Sequence, residues 1–268
     1  MTANKKAAFF DLDGTLASMN LPPCPEDVEA IRAMRALGHM AVLCTGRSAG
    51  YLYSDILDIG FDGIVSGAGA HITLNGTLLY RRTLSGAVLR RVLPHFAHTG
   101  QVCVLEGERD MFLIGRSGDR ELPYTPLDSL QPTDAWAEEH PISKLTVFGT
   151  VPAASLDVLG DDFHVIQHPT YAEACPAGCS KSDGMRRVLE AAGIPRGDSL
   201  AFGDSHNDLD MLQYAGVGVA MGIADETVRA AADMVTDRQE NAGVAKALYR
   251  LIPGLSDAVK GGLSHADS

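Results

Sequence analysis

The sequence predicts an α/β protein with a mostly parallel sheet, interrupted by an inserted α+β domain. Three observations lead to this prediction. Strand-like and helix-like hydrophobic patterns alternate near both ends of the 268-residue chain, which is typical of βαβ units. The middle of the chain carries paired strand-like stretches separated by turn residues. Several apolar strands run directly into polar loops, as happens at the ligand-binding edge of a parallel sheet.

The first part of the chain, up to about residue 82, contains apolar runs typical of buried strands and one amphipathic helix that Gly38 ends. Asn75-Gly76 is a strong hairpin signal between alternating apolar residues. The predicted elements are, in order, the strand Ala7–Phe10, the helix Pro25–Leu37, the strand Met40–Cys44, the helix Tyr51–Leu57, the strand Ile64–Val65 and the hairpin His71–Tyr80.

Residues 83–179 have a different character and are predicted to form the inserted domain. A helix is expected from Thr83, ending near Pro94, because proline interrupts helical hydrogen bonding. Paired strands on both sides of a Gly-Glu-Arg turn indicate a hairpin. The predicted strands of this part are Gln101–Leu105, Met111–Gly115, Ile142–Phe148 and Phe163–Gln167.

From about residue 180 the parallel pattern resumes, so residues 1–82 and 180–268 are expected to form one core domain. The predicted elements are the helix Asp183–Ala192, the strand Ser199–Phe202, the helix Asp208–Gln213, the strand Gly216–Met221, and the helices Glu226–Ala231 and Gly243–Leu251. The polar tail Ser256–Ser268 is expected to be mobile.

Composition excludes several classes of partner. Asp and Glu outnumber Lys and Arg by 34 to 22, which gives a formal charge of −12. This field repels nucleic acids and anionic membranes, so neither is expected as a partner. No apolar run has the length of a signal peptide or a membrane span. The odd number of cysteines, five, suits reduced thiols in a cytoplasmic protein.

A zinc site can be imagined at Cys175 and Cys179 with His164 and His168 upstream. Their spacing does not match a recognised pair of metal knuckles, so the sequence does not favour zinc.

The strongest local signal is Phe9-Phe10-Asp11-Leu12-Asp13-Gly14-Thr15. A buried strand ends in two carboxylates two positions apart, and strand periodicity directs both to one side. Gly14 permits a sharp turn that brings backbone N–H groups near an anion. Alone, the segment is equally compatible with an ordinary polar turn.

Three further segments favour a site over a turn. Thr45 follows the strand Met40–Cys44 and provides a neutral donor for a phosphate. Lys181 stands at the start of a helix and offers an ammonium group. The third segment is the acid-rich loop Gly203-Asp204-Ser205-His206-Asn207-Asp208, in which Asp208 can also cap a helix.

These residues predict a hard-cation site for phosphoryl chemistry. Mg²⁺ prefers oxygen ligands and commonly takes carboxylates together with substrate phosphate. Ionised Asp11, Asp204 and Asp208 would repel a phosphomonoester dianion unless Mg²⁺ and Lys181 offset their charge.

In combination, these motifs resemble the haloacid dehalogenase (HAD) superfamily, in particular its Cof-type branch, subfamily IIB. The family's first motif, DxDGT, matches Asp11–Thr15, and its GDxxND motif matches Gly203–Asp208. Its hydroxyl residue and its lysine match Thr45 and Lys181. The resemblance implies a Rossmann-like core with a parallel sheet and an α+β cap of the C2 type.

The resemblance also implies catalytic and metal-binding roles. Asp11 is expected to be the nucleophile that forms an aspartyl-phosphate, and Asp13 the acid that protonates the leaving alcohol and later activates water. Asp11, the main-chain carbonyl of Asp13, and Asp204 would hold Mg²⁺. Asp208 would bind the ion directly or through an intermediary group.

Further residues are implied to hold the phosphate. Thr45 and Lys181 would bind and stabilise the transferred group and therefore count among the catalytic residues. Asn207 and Arg47 would also bind substrate. His206 is expected to be an exposed loop histidine.

The leading functional hypothesis is a cytoplasmic Mg²⁺-dependent phosphatase for a small phosphorylated metabolite, such as a sugar phosphate or a phosphorylated cofactor. A phosphotransferase or phosphomutase is the alternative within the enzymes. A non-catalytic phospho-aspartate switch also combines aspartates, a hydroxyl residue and lysine, but such modules are single small domains without a counterpart of Asp13. Halide loss is disfavoured, because Asp13 serves an oxygen leaving group.

Overall fold

The computed structural model describes residues 4–18, 21–115, 124–127 and 131–263. Its strands are, in chain order, β1 (Ala7–Phe10), β2 (Met40–Cys44), β3 (Gly63–Ser66), β4 (His71–Leu74), β5 (Thr77–Arg81), β6 (Cys103–Gly107), β7 (Met111–Ile114), β8 (Thr125–Pro126), β9 (Ile142–Phe148), β10 (Phe163–Gln167), β11 (Tyr171–Pro176), β12 (Ser199–Gly203), β13 (Val217–Ala220) and β14 (Met234–Val235).

Helices connect most of these strands. They are α1 (Pro25–Ala36), α2 (Ser54–Leu57), α3 (Gly86–Thr99), α4 (Asp134–Glu139), α5 (Ala153–Leu159), α6 (Lys181–Ala192), α7 (Leu209–Tyr214), α8 (Glu226–Ala231), α9 (Gly243–Leu251) and α10 (Leu255–Leu263). None of the helices within the described ranges combines the length and the apolar character needed to cross a bilayer.

The strands of the described residues form two sheets. The larger, which we call the core sheet, has the order β14-β13-β12-β1-β2-β3-β4-β5. Its strands from β14 to β3 are parallel, and the hairpin β4-β5 adds an antiparallel edge. β1 lies between β12 and β2, so the loops that follow these three strands meet at one edge of the sheet.

The smaller sheet, the cap sheet, has the order β10-β11-β9-β6-β7-β8 and is antiparallel except for the pair β7-β8. All of its strands come from between β5 and α6 in the chain. The chain is therefore an α/β protein with a parallel-sheet core and an α+β cap, which confirms the predicted fold class.

Three buried hydrophobic clusters stabilise the two sheets. Two lie on opposite faces of the core sheet and draw only on residues before 73 and after 184. The third packs α3 and neighbouring helices on the cap sheet and draws only on residues 84–174. Each sheet therefore has its own apolar core.

The helix after residue 83 differs from the prediction at Pro94. α3 runs through Pro94 and ends at Gly100, whose left-handed backbone stops it. Proline removes one hydrogen bond, but α3 buries Leu89, Val92 and Phe96 against the cap sheet. This apolar burial outweighs the lost bond.

The predicted helix over Tyr51–Leu57 is broken. A single 3₁₀ turn, Ala49–Tyr51, is followed by extended residues and then by α2. The extended link places Tyr51 and Tyr53 on the surface beside the loop that follows β2.

The prediction of a mobile tail from Ser256 was wrong over its described part. α10 spans Leu255–Leu263 and packs on α1, with Leu255 fully buried. Residues 264–268 of that predicted tail lie outside the described residues. Sequence analysis also missed β11, α4 and α5.

Candidate active site

The predicted site residues meet at the carboxyl edge of the core sheet because β1, β2 and β12 end there. Asp11 directly follows β1, and its N–H donates to Phe202 of the neighbouring strand at 2.9 Å. Thr45 directly follows β2, and Asp204 directly follows β12. Lys181 is the first residue of α6, whose preceding Ser180 side chain accepts from the backbone N–H of Asp183.

Lys181 is the central cation of this site. Its ammonium lies 2.6 Å from Asp11 Oδ1 and 2.6 Å from Asp208 Oδ1, and it also donates to Asn207 Oδ1 at 3.4 Å. The side chain is only 1% exposed. Burial favours the neutral amine, but the adjacent Asp11 and Asp208 hold the pKa of Lys181 well above its usual range. Lys181 therefore stays charged in this buried position.

Three carboxylates crowd together beside Lys181. Asp11, Asp204 and Asp208 each place a ligand oxygen within 4.8 Å of the others. Burial and the neighbouring Asp208 raise the pKa of Asp204 to about 7 and that of Asp11 well above its usual range. A divalent cation would reverse this repulsion, and an all-oxygen set suits a hard ion such as Mg²⁺. The residues present therefore fit the ion that the sequence predicts.

Gly14 permits the close approach of the first motif to Asp204. Its φ is +91°, and a Cβ at this position would lie 2.3 Å from Asp204 Oδ2. Any other residue would displace the carboxylate from the cluster. The next residue, Thr15, donates its hydroxyl to Asp204 Oδ1 at 3.3 Å.

The acid-rich loop is ordered by Asp208, which is fully buried. Its Oδ2 accepts from the backbone N–H groups of Asp204 and Ser205, each at 3.0 Å, while its Oδ1 faces Lys181. Asp208 thus closes a capping box on the 3₁₀ turn His206–Asp208 and belongs to the acidic cluster, whereas its side chain makes no capping bond to α7, the helix that the sequence expected it to cap. Asn207 accepts from Ser205 Oγ at 2.8 Å, which directs its carbonyl oxygen toward Lys181.

Asp13 and Arg47 form a separate pair at the mouth of the site. Arg47 donates to both carboxylate oxygens of Asp13, at 2.6 and 2.8 Å. Its guanidinium lies 5.3 Å from the ring centre of Tyr51 and 5.3 Å from that of Tyr53. The Asp13 carboxylate lies outside the acidic cluster, which leaves the predicted metal contact to its main-chain carbonyl. The backbone N–H of Arg47 donates to Thr45 Oγ1 at 3.1 Å.

The cap sheet contacts the core loops through a buried ion pair. Lys144 on β9 lies 2.6 Å from Glu173 on β11 and donates to the Gly46 carbonyl at 2.7 Å. Glu173 in turn accepts from the Asn207 amide at 3.2 Å. Burial alone would raise the pKa of Glu173, but Lys144 holds it well below its usual range. The cap therefore contacts both the loop after β2 and the acid-rich loop.

Two aromatic side chains of the cap, Tyr171 and His168, lie next to Glu173. Tyr171 stacks on His168 with ring centres 4.4 Å apart, and His168 Nε2 lies 3.2 Å from Glu173. Burial and the charge of Glu173 raise the pKa of Tyr171 to about 12, and Asp13 and Asp11 act in the same direction. Tyr171 therefore stays a neutral phenol above the two catalytic candidates.

The remaining predicted residues are those of the imagined zinc site and His206 of the acid-rich loop. Among the described residues, the group of side chains that could hold a metal ion is the acidic cluster, and it includes none of His164, His168, Cys175 and Cys179. His206 is exposed, as expected of a loop histidine, and lies 2.9 Å from Asp225.

Sequence reasoning missed the cap residues Lys144, Glu173, His168 and Tyr171. A signal for the first two was present, since each is a charged residue inside an apolar strand stretch, Ile142–Phe148 and Tyr171–Pro176. Opposite charges in two such stretches indicate a buried pair.

Comparison with known proteins agrees with this geometry. A family model described as haloacid dehalogenase-like hydrolase matches residues 8–248. The putative phosphatase YkrA of Bacillus subtilis (strain 168) is 27% identical over 260 residues, covering 92% of this chain and 98% of YkrA. The pyridoxal phosphate phosphatase YbhA of Escherichia coli (strain K12) is 24% identical over 268 residues, covering 90% of this chain and 96% of YbhA.

The fold is likewise found among solved structures. The HAD subclass IIB sugar phosphatase BT4131 matches with a TM-score of 0.78 and 26% identity. The match covers 94% of this chain and all of BT4131, 100%. Both the core sheet and the cap sheet therefore have counterparts in a solved relative.

Proposed function

The chain belongs to the haloacid dehalogenase-like hydrolase family, and from this premise we propose that it is a Mg²⁺-dependent phosphatase that acts through an aspartyl-phosphate on Asp11. Phosphatase activity on small phosphorylated substrates follows from the family and from the relatives described above. The metal, the residue roles and the substrate class are the proposal. The observation that carries it is the burial of Lys181 between Asp11 and Asp208 beside Asp204.

The first chemical step follows from these positions. An Asp11 carboxylate oxygen attacks phosphorus and forms the acyl-phosphate bond while the bond to the leaving alkoxide breaks. Asp13 gives its proton to that oxygen, so a neutral alcohol departs. Lys181, Thr45 and Asn207 hold the phosphoryl oxygens and stabilise charge that develops on them.

The second step regenerates the enzyme. Asp13, now a carboxylate, takes a proton from a water that attacks the phosphoryl group of Asp11, and inorganic phosphate leaves. Arg47 orients the Asp13 carboxylate through its two hydrogen bonds. A Mg²⁺ ion held by Asp11, Asp204 and Asp208, directly or through water, would offset the charge of these carboxylates and of the phosphate.

Substrates are proposed to be small phosphorylated metabolites, either sugar phosphates or phosphorylated cofactors. Relatives named for each class support this breadth, since YbhA is named for pyridoxal phosphate and BT4131 for sugar phosphates. We place the cap at residues 83–179 and the core at 1–82 and 180–268, because the three apolar clusters divide between these segments.

We also propose a cytoplasmic location, which the thiols support. All five cysteines are free, and four of them are buried. Burial raises the pKa of Cys103 and of Cys175, which keeps these thiols protonated and unreactive. Free thiols of this kind suit a reducing compartment.

Metal dependence is the direct test of the proposed function. Hydrolysis of p-nitrophenyl phosphate should stop after treatment with EDTA and return when Mg²⁺ is added, because the site offers hard oxygen ligands. Undiminished hydrolysis after chelation, or restoration by Zn²⁺ and not by Mg²⁺, would contradict the proposal. Release of inorganic phosphate, as opposed to transfer to an added acceptor alcohol, separates a phosphatase from a phosphotransferase.

A further inference from the structure

A cavity of about 640 Å³ opens beside Asp13 and Arg47, between the core loops and the cap. Three tyrosines line it: Tyr51 and Tyr53 from the broken helix after β2, and Tyr171 from β11. We call these three rings and the space between them the aromatic slot. We propose that this slot receives the leaving group of the substrate, and that this group is a planar, largely apolar ring. The inference rests on the proposed phosphatase function.

The slot lies on the leaving-group side because of Asp13. Asp13 lines the cavity, and as the proposed acid it must stand next to the oxygen of the departing alcohol. A second cavity, of about 770 Å³, is lined by Lys181 and Asn207 but not by Asp13. The group bonded to the ester oxygen therefore extends into the aromatic slot.

The rings of the slot are held in place before substrate binds. Arg47, fixed by its paired hydrogen bonds to Asp13, packs against both Tyr51 and Tyr53, with its guanidinium 5.3 Å from each ring centre. The two tyrosine rings lie 5.7 Å apart and are tilted by 52°. One face of Tyr171 is covered by His168. Fixed rings lose little freedom when they bind a ligand, which favours stacking.

The charged side chains that line the slot already have hydrogen-bond partners. Arg47 is paired with Asp13, and Asp55 accepts from Ser54 Oγ at 3.3 Å. Much of the remaining lining is apolar: Leu12, Ala17, Leu21, Pro22, Pro23 and Ile56. A polyhydroxylated sugar would lose more hydrogen bonds to water than this largely apolar lining returns, whereas a flat apolar ring would lose none.

Three phosphate monoesters of primary alcohols on six-membered rings test this inference. They are benzyl phosphate, cyclohexylmethyl phosphate and glucose 6-phosphate, whose leaving alcohols differ mainly in planarity and polarity. With the Mg²⁺-loaded protein, kcat/KM for benzyl phosphate should exceed that for cyclohexylmethyl phosphate by about 2- to 10-fold, the effect of ring stacking. It should exceed that for glucose 6-phosphate by about 10-fold or more.

Variants locate the preference in the slot. Tyr171→Leu and the double variant Tyr51→Leu/Tyr53→Leu should each lower the ratio of benzyl to cyclohexylmethyl phosphate, because each removes part of the ring lining of the slot. Tyr171→Phe keeps the ring and should preserve the ratio. Tyr214→Leu is the matched control, because Tyr214 packs against Arg196 outside the slot.

The outcomes separate the inference from the function on which it rests. A preference for glucose 6-phosphate, or a ratio that the leucine variants leave unchanged, would overturn the aromatic slot while phosphatase activity stands. Absence of hydrolysis of every ester would overturn the proposed function instead. Calorimetric binding of benzylphosphonate and cyclohexylmethylphosphonate tests the slot without turnover, and equal affinities would contradict it.

Discussion

Lys181 shows how one residue keeps a crowded acidic site folded. Two carboxylates lie 2.6 Å from its ammonium, and all three side chains are at most 5% exposed. Removing the ammonium would leave uncompensated buried charges, which typically costs about 3–5 kcal/mol. Removing one carboxylate has a different effect, because the remaining one still pairs with Lys181. Substitutions at the aspartates therefore separate catalysis from stability.

Asp11→Asn should abolish phosphatase activity without unfolding the protein. An amide oxygen cannot attack phosphorus, and the substitution removes one of three crowded carboxylates. In EDTA, the melting temperature should be unchanged or higher than that of the wild type, because burial raises the pKa of Asp11 and makes its charge costly. Asp157→Asn, on the exposed face of α5, is the control. Retention of more than a few per cent of the wild-type rate would contradict the nucleophile assignment.

Asp27 is a buried carboxyl outside the active site whose protonation should affect stability. Its Oδ1 accepts from the backbone N–H of Ala245 at 2.7 Å, whereas its Oδ2 has no hydrogen-bond partner. Burial raises the pKa of Asp27 to about 7. A carboxyl with a raised pKa binds its proton more tightly in the folded state, so the folded state is penalised increasingly as pH rises from about 4 to about 7.

Asp27→Asn should therefore gain stability relative to the wild type as pH rises. Asparagine keeps the acceptor for Ala245 but carries no charge. The difference in unfolding free energy between variant and wild type should move in favour of the variant by about 1–4 kcal/mol between pH 4.5 and pH 8. Urea denaturation at both pH values measures it. A difference independent of pH would show that Asp27 ionises normally in the folded protein.

The strands and helices that the sequence predicted correctly are those whose hydrophobic pattern matches the way they are buried in the fold. β1, β2 and β12 are apolar runs buried on both faces, and a polar candidate residue directly follows each strand. For that reason the position of these candidate residues at the ends of the strands could be predicted. The helix at Lys181 was also expected, and it begins at that residue.

The elements that were missed depend on contacts distant in sequence. β11 carries Glu173 at its centre, and this strand becomes readable only when Lys144 of β9 pairs with that carboxylate. α3 continues through Pro94 because its apolar face packs on the cap sheet. α10 looks polar in sequence, but Leu255 and Val259 meet α1 and its neighbours. The sequence signals the pair of Lys144 and Glu173 as opposite charges inside two apolar stretches, whereas the packing partners of α3 and α10 lie far away in the chain.

The packing of α10 leads to a stability prediction. Leu255 is fully buried in one of the two core clusters. Leu255→Ala should lower the free energy of unfolding by about 2–5 kcal/mol, the usual cost of removing a buried leucine side chain. Lys260→Ala, at an exposed position of the same helix, should change it by less than about 0.5 kcal/mol. Equal, small effects at both positions would mean that α10 does not pack as described.

For the whole molecule, the arrangement of the two sheets explains how a cap can be inserted into the core. The chain leaves the core near Arg82, whose N–H donates to Ala70 at 2.7 Å. It returns at Ser180, whose carbonyl would lie 2.2 Å from a Cβ at Gly69. Gly69 also has a φ of +93°. Both this backbone conformation and the close Ser180 carbonyl therefore require glycine. Both crossings thus lie against one short segment of the core.

The cap also influences the core chemically. Glu173 orients the Asn207 amide, and Lys144 binds the carbonyl of Gly46 next to Thr45. Tyr171 of the cap lines the aromatic slot together with Tyr51 and Tyr53 of the core. Cap and core therefore share the lining of the slot. The cap should therefore affect both the rate for every substrate and the choice among substrates.

Replacing residues 83–179 with a short glycine-rich linker should leave a folded but weak enzyme. The core can fold alone because its two apolar clusters contain no cap residue, and its two chain ends meet near Gly69 and Ala70. Without the cap, Glu173 no longer orients Asn207 and water reaches the phosphate, so electrostatic contacts to the phosphoryl group weaken. The rate for the small substrate acetyl phosphate should fall. The preference for benzyl over cyclohexylmethyl phosphate should shrink without vanishing, because Tyr51 and Tyr53 remain.

A cooperative urea transition would show that the core is folded. A core that kept the full preference would place specificity in the core rings alone, and a core with no residual preference would place it in Tyr171.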